Sequence, residues 1–260
     1  MKEFFGFGGY TREPEGYMSW QHLLFVTSLM ILMVGLAVWL GRRTRGLDEK
    51  RKNKVLVWSA FLIDGFEIFK ITICGLRSDD PLFWTTLLPL FLCSIQLITI
   101  PLAAFSTGRV REAALDFVFI FGILGAVLGT YGAGQNYNAY PVLGFDNIVS
   151  GLTHTISGFC SLYIAISGLA SMKKKNIYIT FSILGFFCVT AYIANILIPY
   201  NYMFLMAGDG TPYDIFYNLV NGHKVFYPMT VVVLFLLYIA AFYYIFYLVQ
   251  KKRAQKKQAQ

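Results

Sequence analysis

Seven mostly apolar stretches, each near the length a helix needs to cross a bilayer, follow one another along this chain. They run over about 20–41, 55–76, 83–105, 113–131, 148–170, 177–198 and 227–249. Hydrocarbon offers no partner for backbone N–H and C=O groups, so apolar runs of this length must close their own hydrogen bonds as helices. The expected fold is an all-α polytopic membrane protein, a bundle of seven transmembrane helices. Composition agrees: 57% of residues are hydrophobic and 14% are charged, against roughly 45–50% and 25% in soluble domains. That excludes a disordered chain and argues against a soluble enzyme. The first stretch is not a secretory signal, because its basic cluster follows the apolar run instead of preceding it.

The formal charge is +8, and its placement carries the information. The loops after the first, third and fifth stretches hold Arg42, Arg43, Arg45, Lys50, Arg51, Lys52 and Lys54, then Arg109 and Arg111, then Lys173, Lys174 and Lys175. The tail adds Lys251, Lys252, Arg253, Lys256 and Lys257. Seventeen of the 22 basic residues thus fall on one side. The positive-inside rule puts the N-terminus outside and the C-terminus inside. Residues 1–250 read as one transmembrane helical domain in the cell membrane, and 251–260 as a basic, solvated cytoplasmic tail. Short topogenic clusters of this kind exclude a nucleic-acid partner. The four cysteines, Cys74, Cys93, Cys160 and Cys188, all lie in apolar stretches, and only three histidines exist. No disulfide framework, metal site or cofactor is expected. Nothing in the sequence sets an oligomeric state.

Polar residues inside the stretches are expensive and mark candidate sites. The second stretch carries Asp64, Glu67 and Lys70 at i, i+3 spacing, along one side of a helix. The third carries Cys93 about 15 Å from its outer end, between Pro89 and Pro101, with Gln96 one turn on. Pro89 predicts a kink one turn before Cys93. The fifth carries His154, flanked on its face by Ser150, Ser157 and Ser161. Gly125 and Gly129 form a GxxxG pattern suited to close helix packing. Asp116 suits a loop cap. His22, Glu67, Lys70, Cys93, His154, Asn195 and Asn201 all fall in the outer half or at mid-depth. Helices meeting around them would enclose an outward-facing polar pocket. A cysteine and a histidine at compatible depth are the minimum for acyl transfer through a thioester.

The stretch Leu88-Pro89-Leu90-Phe91-Leu92-Cys93-Ser94 resembles the LPLHLC motif of YwaF-like integral membrane proteins. These belong with transmembrane protein 164, a membrane acyltransferase family acting on phospholipids. Ser19-Trp20-Gln21-His22-Leu23 is similar to the family's start, and His154 matches its single helix-borne histidine. Asn201-Tyr202-Met203-Phe204-Leu205-Met206 is similar to its signature before the final helix. The resemblance covers nearly the whole chain. It implies Cys93 as the acyl-accepting nucleophile and His154 as its base. It also implies that Glu67 holds the pocket's charge balance and that Asn201 and Tyr202 shape its rim. Phe91 departs from the motif, which has His there.

The leading expectation is therefore an integral membrane acyltransferase moving fatty acyl groups between lipids. Its catalytic residues would be Cys93 and His154. Glu67, Lys70, Gln96, Asn195, Asn201, Tyr202 and His22 would line the substrate site, and a membrane lipid would be the partner. A lipid-ester hydrolase is the nearest alternative. A small-molecule binder or transporter using Glu67, Lys70 and His154 is the alternative from another class.

Overall fold

The computed structural model describes residues 2–258. It contains nine α-helices and no strand among those residues: α1 (Trp20–Thr44), α2 (Glu49–Arg77), α3 (Gln96–Phe105), α4 (Gly108–Tyr131), α5 (Gly134–Ala139), α6 (Phe145–Ser167), α7 (Ile177–Leu197), α8 (Asp214–Leu219) and α9 (Phe226–Gln258). Five of them, α1, α4, α6, α7 and α9, are long and apolar enough to cross a membrane. The long helices start where the sequence supplies caps. Ser19 accepts from the His22 N–H at 3.2 Å, and Asp48 accepts from the Arg51 N–H at 2.7 Å. Each cap satisfies a donor that a first turn leaves without a partner. Gly168 ends α6 in the left-handed region, φ 79°, where a glycine has no Cβ to strain.

Two stretches depart from the expected pattern. α2 has 29 residues, ample length for a bilayer, but it carries Asp64, Glu67, Lys70 and charged ends. The continuous helix expected over 83–105 is broken. A 3-10 turn spans Phe83–Thr86, irregular backbone follows, and α3 begins only at Gln96 with 10 residues. Pro89 has no N–H and bars helical geometry at Leu88. The Leu88 N–H instead donates to the Tyr202 hydroxyl at 3.3 Å, and that hydroxyl donates to the Thr85 carbonyl. Pro101 sits within α3 without ending it. The basic tail differs as well, since α9 continues through it to Gln258. Its Lys, Arg, Ala and Gln are good helix formers. Residues 259 and 260 lie outside the described residues.

α6 packs against α1, α2 and α4, which makes it the centre of one half of the bundle. Leu56, Ile63, Ile100, Val118, Tyr163 and Ile164 fill that half. α4 also faces the other half, where Phe117, Phe121, Leu184, Val231 and Ile239 pack together. α4 and α6 approach closely at Gly122, where a methyl group would fall 2.6 Å from the Ser157 carbonyl oxygen. At the basic end of the bundle, the Asp116 carboxylate is fully buried. It accepts from the Met172 N–H (2.8 Å), Ser171 Oγ (3.1 Å), Tyr243 Oη (2.9 Å) and Asn176 Nδ2 (3.3 Å). The expected loop cap is thus a knot tying α4, the loop between α6 and α7, and α9. At the opposite end, residues 2–18 fold over the bundle. Phe4 and Phe5 pack on Phe145, and Phe5 also on Phe69.

Candidate functional site

The break before α3 leaves Cys93 in an irregular turn facing α2, α4 and α6. It lines a cavity of about 50 Å³ together with Glu67 and Lys70 of α2, Ser94, and Ser150, Thr153 and His154 of α6. That space suits an ester group or a few waters, not an acyl chain. The structure therefore brings four of the expected site residues together: Cys93, His154, Glu67 and Lys70. Cys93 is partly accessible, whereas Cys160 and Cys188 are buried fillers. Glu67 and Lys70 form an ion pair at 2.7 Å.

α4 supplies the back wall. At Gly125 a methyl group would lie 3.3 Å from the Cys93 Cβ. At Gly129 it would lie 2.1 Å from the His154 ring. The ring lies flat on bare backbone, and no larger residue fits there unless the ring moves. The GxxxG pattern thus seats the cysteine and the histidine as well as packing helices. Thr153 also lines the cavity, but its hydroxyl donates to the Ser150 carbonyl at 2.9 Å.

A larger vestibule of about 970 Å³ adjoins the cavity, and Lys70 and Ser150 border both spaces. The amino-terminal segment roofs the vestibule with Tyr10, Thr11, Arg12 and Glu13. A clasp holds this roof down. Arg77 donates to both carboxylate oxygens of Asp146 and, at 3.1 Å, to the Phe5 carbonyl. The Tyr10 hydroxyl donates to Asp146 at 2.8 Å. Burial, reinforced by that carboxylate, pushes the Tyr10 phenol up to about 12, so it remains a donor. A second tie is Glu15, which accepts from the Val142 N–H at 2.8 Å and pairs with Arg12. Burial opposes ionisation of Glu15, yet these partners hold its carboxyl below the ordinary value. Ser94, Ser150, Arg77 and Asp146 did not stand out as site residues in the sequence. The available signals were the serine one turn before His154 and an acidic residue in the first turn of α6.

The remaining expected residues lie outside the cavity, and all but Gln96 hold backbone in place. Both His22 ring nitrogens are engaged, one with the Thr130 carbonyl and one with the Met18 N–H, each at 3.2 Å, and the ring packs on Tyr137. Gln96 is fully buried and its Oε1 accepts from Thr99 at 3.1 Å. Asn195 clamps Tyr202 by donating to its carbonyl (3.0 Å) and accepting from its N–H (2.7 Å). Asn201 donates to the Ala207 carbonyl (2.8 Å) and accepts from the Met206 N–H (2.9 Å). Tyr202 braces residues 85–88, as described. Phe91 points away from the cavity into a cluster with Tyr200, Tyr202 and Phe204. The motif departure at this position therefore leaves the cavity lining unchanged. Among the described residues no cluster of histidine, cysteine and carboxylate groups suits a metal ion.

Neither a curated protein nor a solved structure matches the chain. A model of the TMEM164 family does match, over residues 17–246, which takes in all the residues lining the small cavity but not the amino-terminal residues that roof the vestibule. Five apolar helices and this match together identify a multi-pass membrane protein, and the chain belongs to the TMEM164 family.

Proposed function

We propose that the protein is an acyltransferase of the cell membrane, moving fatty acyl groups between lipids through a Cys93 thioester. In this reading the N-terminus is outside. α2 spans the membrane, and so does the broken segment 83–105, which makes seven crossings. Irregular backbone at such depth is tolerable where it lines a cavity. The observation that carries the reading is that Cys93 and His154 line one cavity, beside a roofed polar vestibule that shares Lys70 and Ser150 with it. His154 takes the thiol proton as sulfur attacks the ester carbonyl of a donor lipid. The carbon–oxygen bond breaks and the leaving oxygen takes the proton from His154. An acceptor hydroxyl then gives its proton to His154 and attacks the thioester, which releases the thiol. The vestibule has room for the lipid's polar part, with the acyl chain left to the membrane.

Cys93→Ser and His154→Ala should each lower transfer from a diacyl lipid to a lysolipid by at least about 1,000-fold, as loss of a nucleophile or its base does elsewhere. Both variants should still fold. Wild-type rates in both would sink the proposal. A second reading, ester hydrolysis, draws on the vestibule's polar lining, which admits water. Free fatty acid released without an acceptor lipid would favour it.

A further inference from the structure

Lys70 is the residue whose position the nucleophile–base pair leaves unexplained. Its ammonium lies 2.7 Å from Glu67, and the two side chains are only 20% and 14% exposed. Buried pairs are usually explained as ties between elements, but Lys70 and Glu67 stand on the same helix, three residues apart. This pair therefore joins nothing. An ammonium has three N–H donors, and Glu67 takes one. No other partner binds Lys70 among the described residues. The other vestibule cations are spent on the roof, Arg77 on Asp146 and Arg12 on Glu15. Lys70 alone among them borders the small cavity with Cys93 and His154, and it also borders the vestibule. It stands where the two spaces adjoin. An ester carbon at Cys93, with its polar part on the vestibule side, brings the carbonyl oxygen toward Lys70.

We propose that the Lys70 ammonium is the electrophile of the transfer step, held by Glu67 over the ester carbonyl oxygen. This rests on the acyl-transfer reading above. When sulfur bonds to the carbonyl carbon and the thiol proton passes to His154, the carbonyl electron pair moves onto oxygen. Lys70 balances that oxyanion as an ion pair and neither gains nor loses a proton. On collapse the C=O bond reforms, the ester C–O bond breaks, and His154 returns the proton to the leaving oxygen. The second half-reaction repeats the same charge at the same oxygen. A fixed charge aimed at developing charge in a water-poor site acts on the transition state more than on bound substrate.

The test uses the full-length protein in liposomes, with phosphatidylcholine as donor and a lysophospholipid as acceptor. Lys70→Met should lower kcat about 100- to 1,000-fold, the scale of a lost oxyanion donor, and leave the KM for donor within about threefold. Lys70→Gln, which keeps a polar side chain, should behave alike and covers the case in which Lys70→Met fails to fold. Lys70→Arg should recover at least about tenfold of the loss. A raised KM with kcat retained, or no change in either, overturns the proposal. Cys93→Ala is run beside them. If it is inactive while Lys70→Met keeps full kcat, only the Lys70 role falls. If Cys93→Ala transfers at the wild-type rate, the thioester reading falls and the Lys70 role falls with it.

Discussion

The two ends of the bundle both bury polar side chains in an apolar setting, and they treat them in opposite ways. At the basic end, Asp116 is fully buried and closed in by four donors from α4's neighbours. At the other end, the amide groups of Asn195 and Asn201 are likewise spent on backbone. Cys93, His154 and Lys70 are not. They face a cavity that adjoins a vestibule. Full satisfaction marks a structural device, because a buried polar group without a partner costs stability. Accessible, incompletely used groups mark a site.

Substitutions at the two ends should separate these roles. The largest expected effect is at Asp116. Asp116→Ala strands several buried donors at once and should cost about 3–5 kcal/mol. The readout is thermal unfolding in detergent, and the rate constant of the remaining folded protein should be unchanged. A stability loss below about 1 kcal/mol would mean the knot is incidental. Gly129→Ala should do the reverse. Its methyl group displaces the His154 ring, and a misplacement near 1 Å can cost about 100-fold in rate. Transfer should fall by that factor while the unfolding transition shifts little. A rate loss under threefold would show that the ring's seat on α4 does not matter.

The smallest effect concerns the roof. Glu15 has a folded pKa below its ordinary value of 4.5. Its contribution is therefore complete above that value and is lost as pH falls through the lowered folded one. Protease cleavage or hydrogen exchange within residues 2–18 should rise as the pH drops below about 4.5. Glu15→Gln should show raised exposure already at neutral pH, with little further change in acid. Identical pH profiles for the two proteins would rule out this tie.

Legibility differed by residue. The long helices were readable because hydropathy and bilayer thickness act locally, and α1, α6 and α7 begin and end within a few residues of expectation. Cys93 stood out among four cysteines by its flanking prolines and its motif, and His154 because a titratable ring is rare in an apolar stretch. Asn195 and Asn201 were noted for polarity at suitable depth, and the rim role of Asn201 and Tyr202 came from the family resemblance; neither reveals what a side chain bonds. Phe91 shows the same gap, since the motif gives its place in the chain but not its direction. The roof was invisible because Arg77 and Asp146 are distant in sequence and meet only across α2 and α6.

By itself, then, the sequence determined the helical class, the membrane setting and the residues able to do chemistry, because each depends on side-chain type and short spacing. Pro89 marked a kink in segment 83–105, but only the tertiary structure decided that the helix would open into irregular backbone up to Gln96, where Tyr202 from far along the chain receives the Leu88 N–H. Only packing decided that bare glycine backbone on α4 would seat His154 beside the cavity that Cys93 lines. Those outcomes rest on which helix faces meet, and no local pattern encodes that.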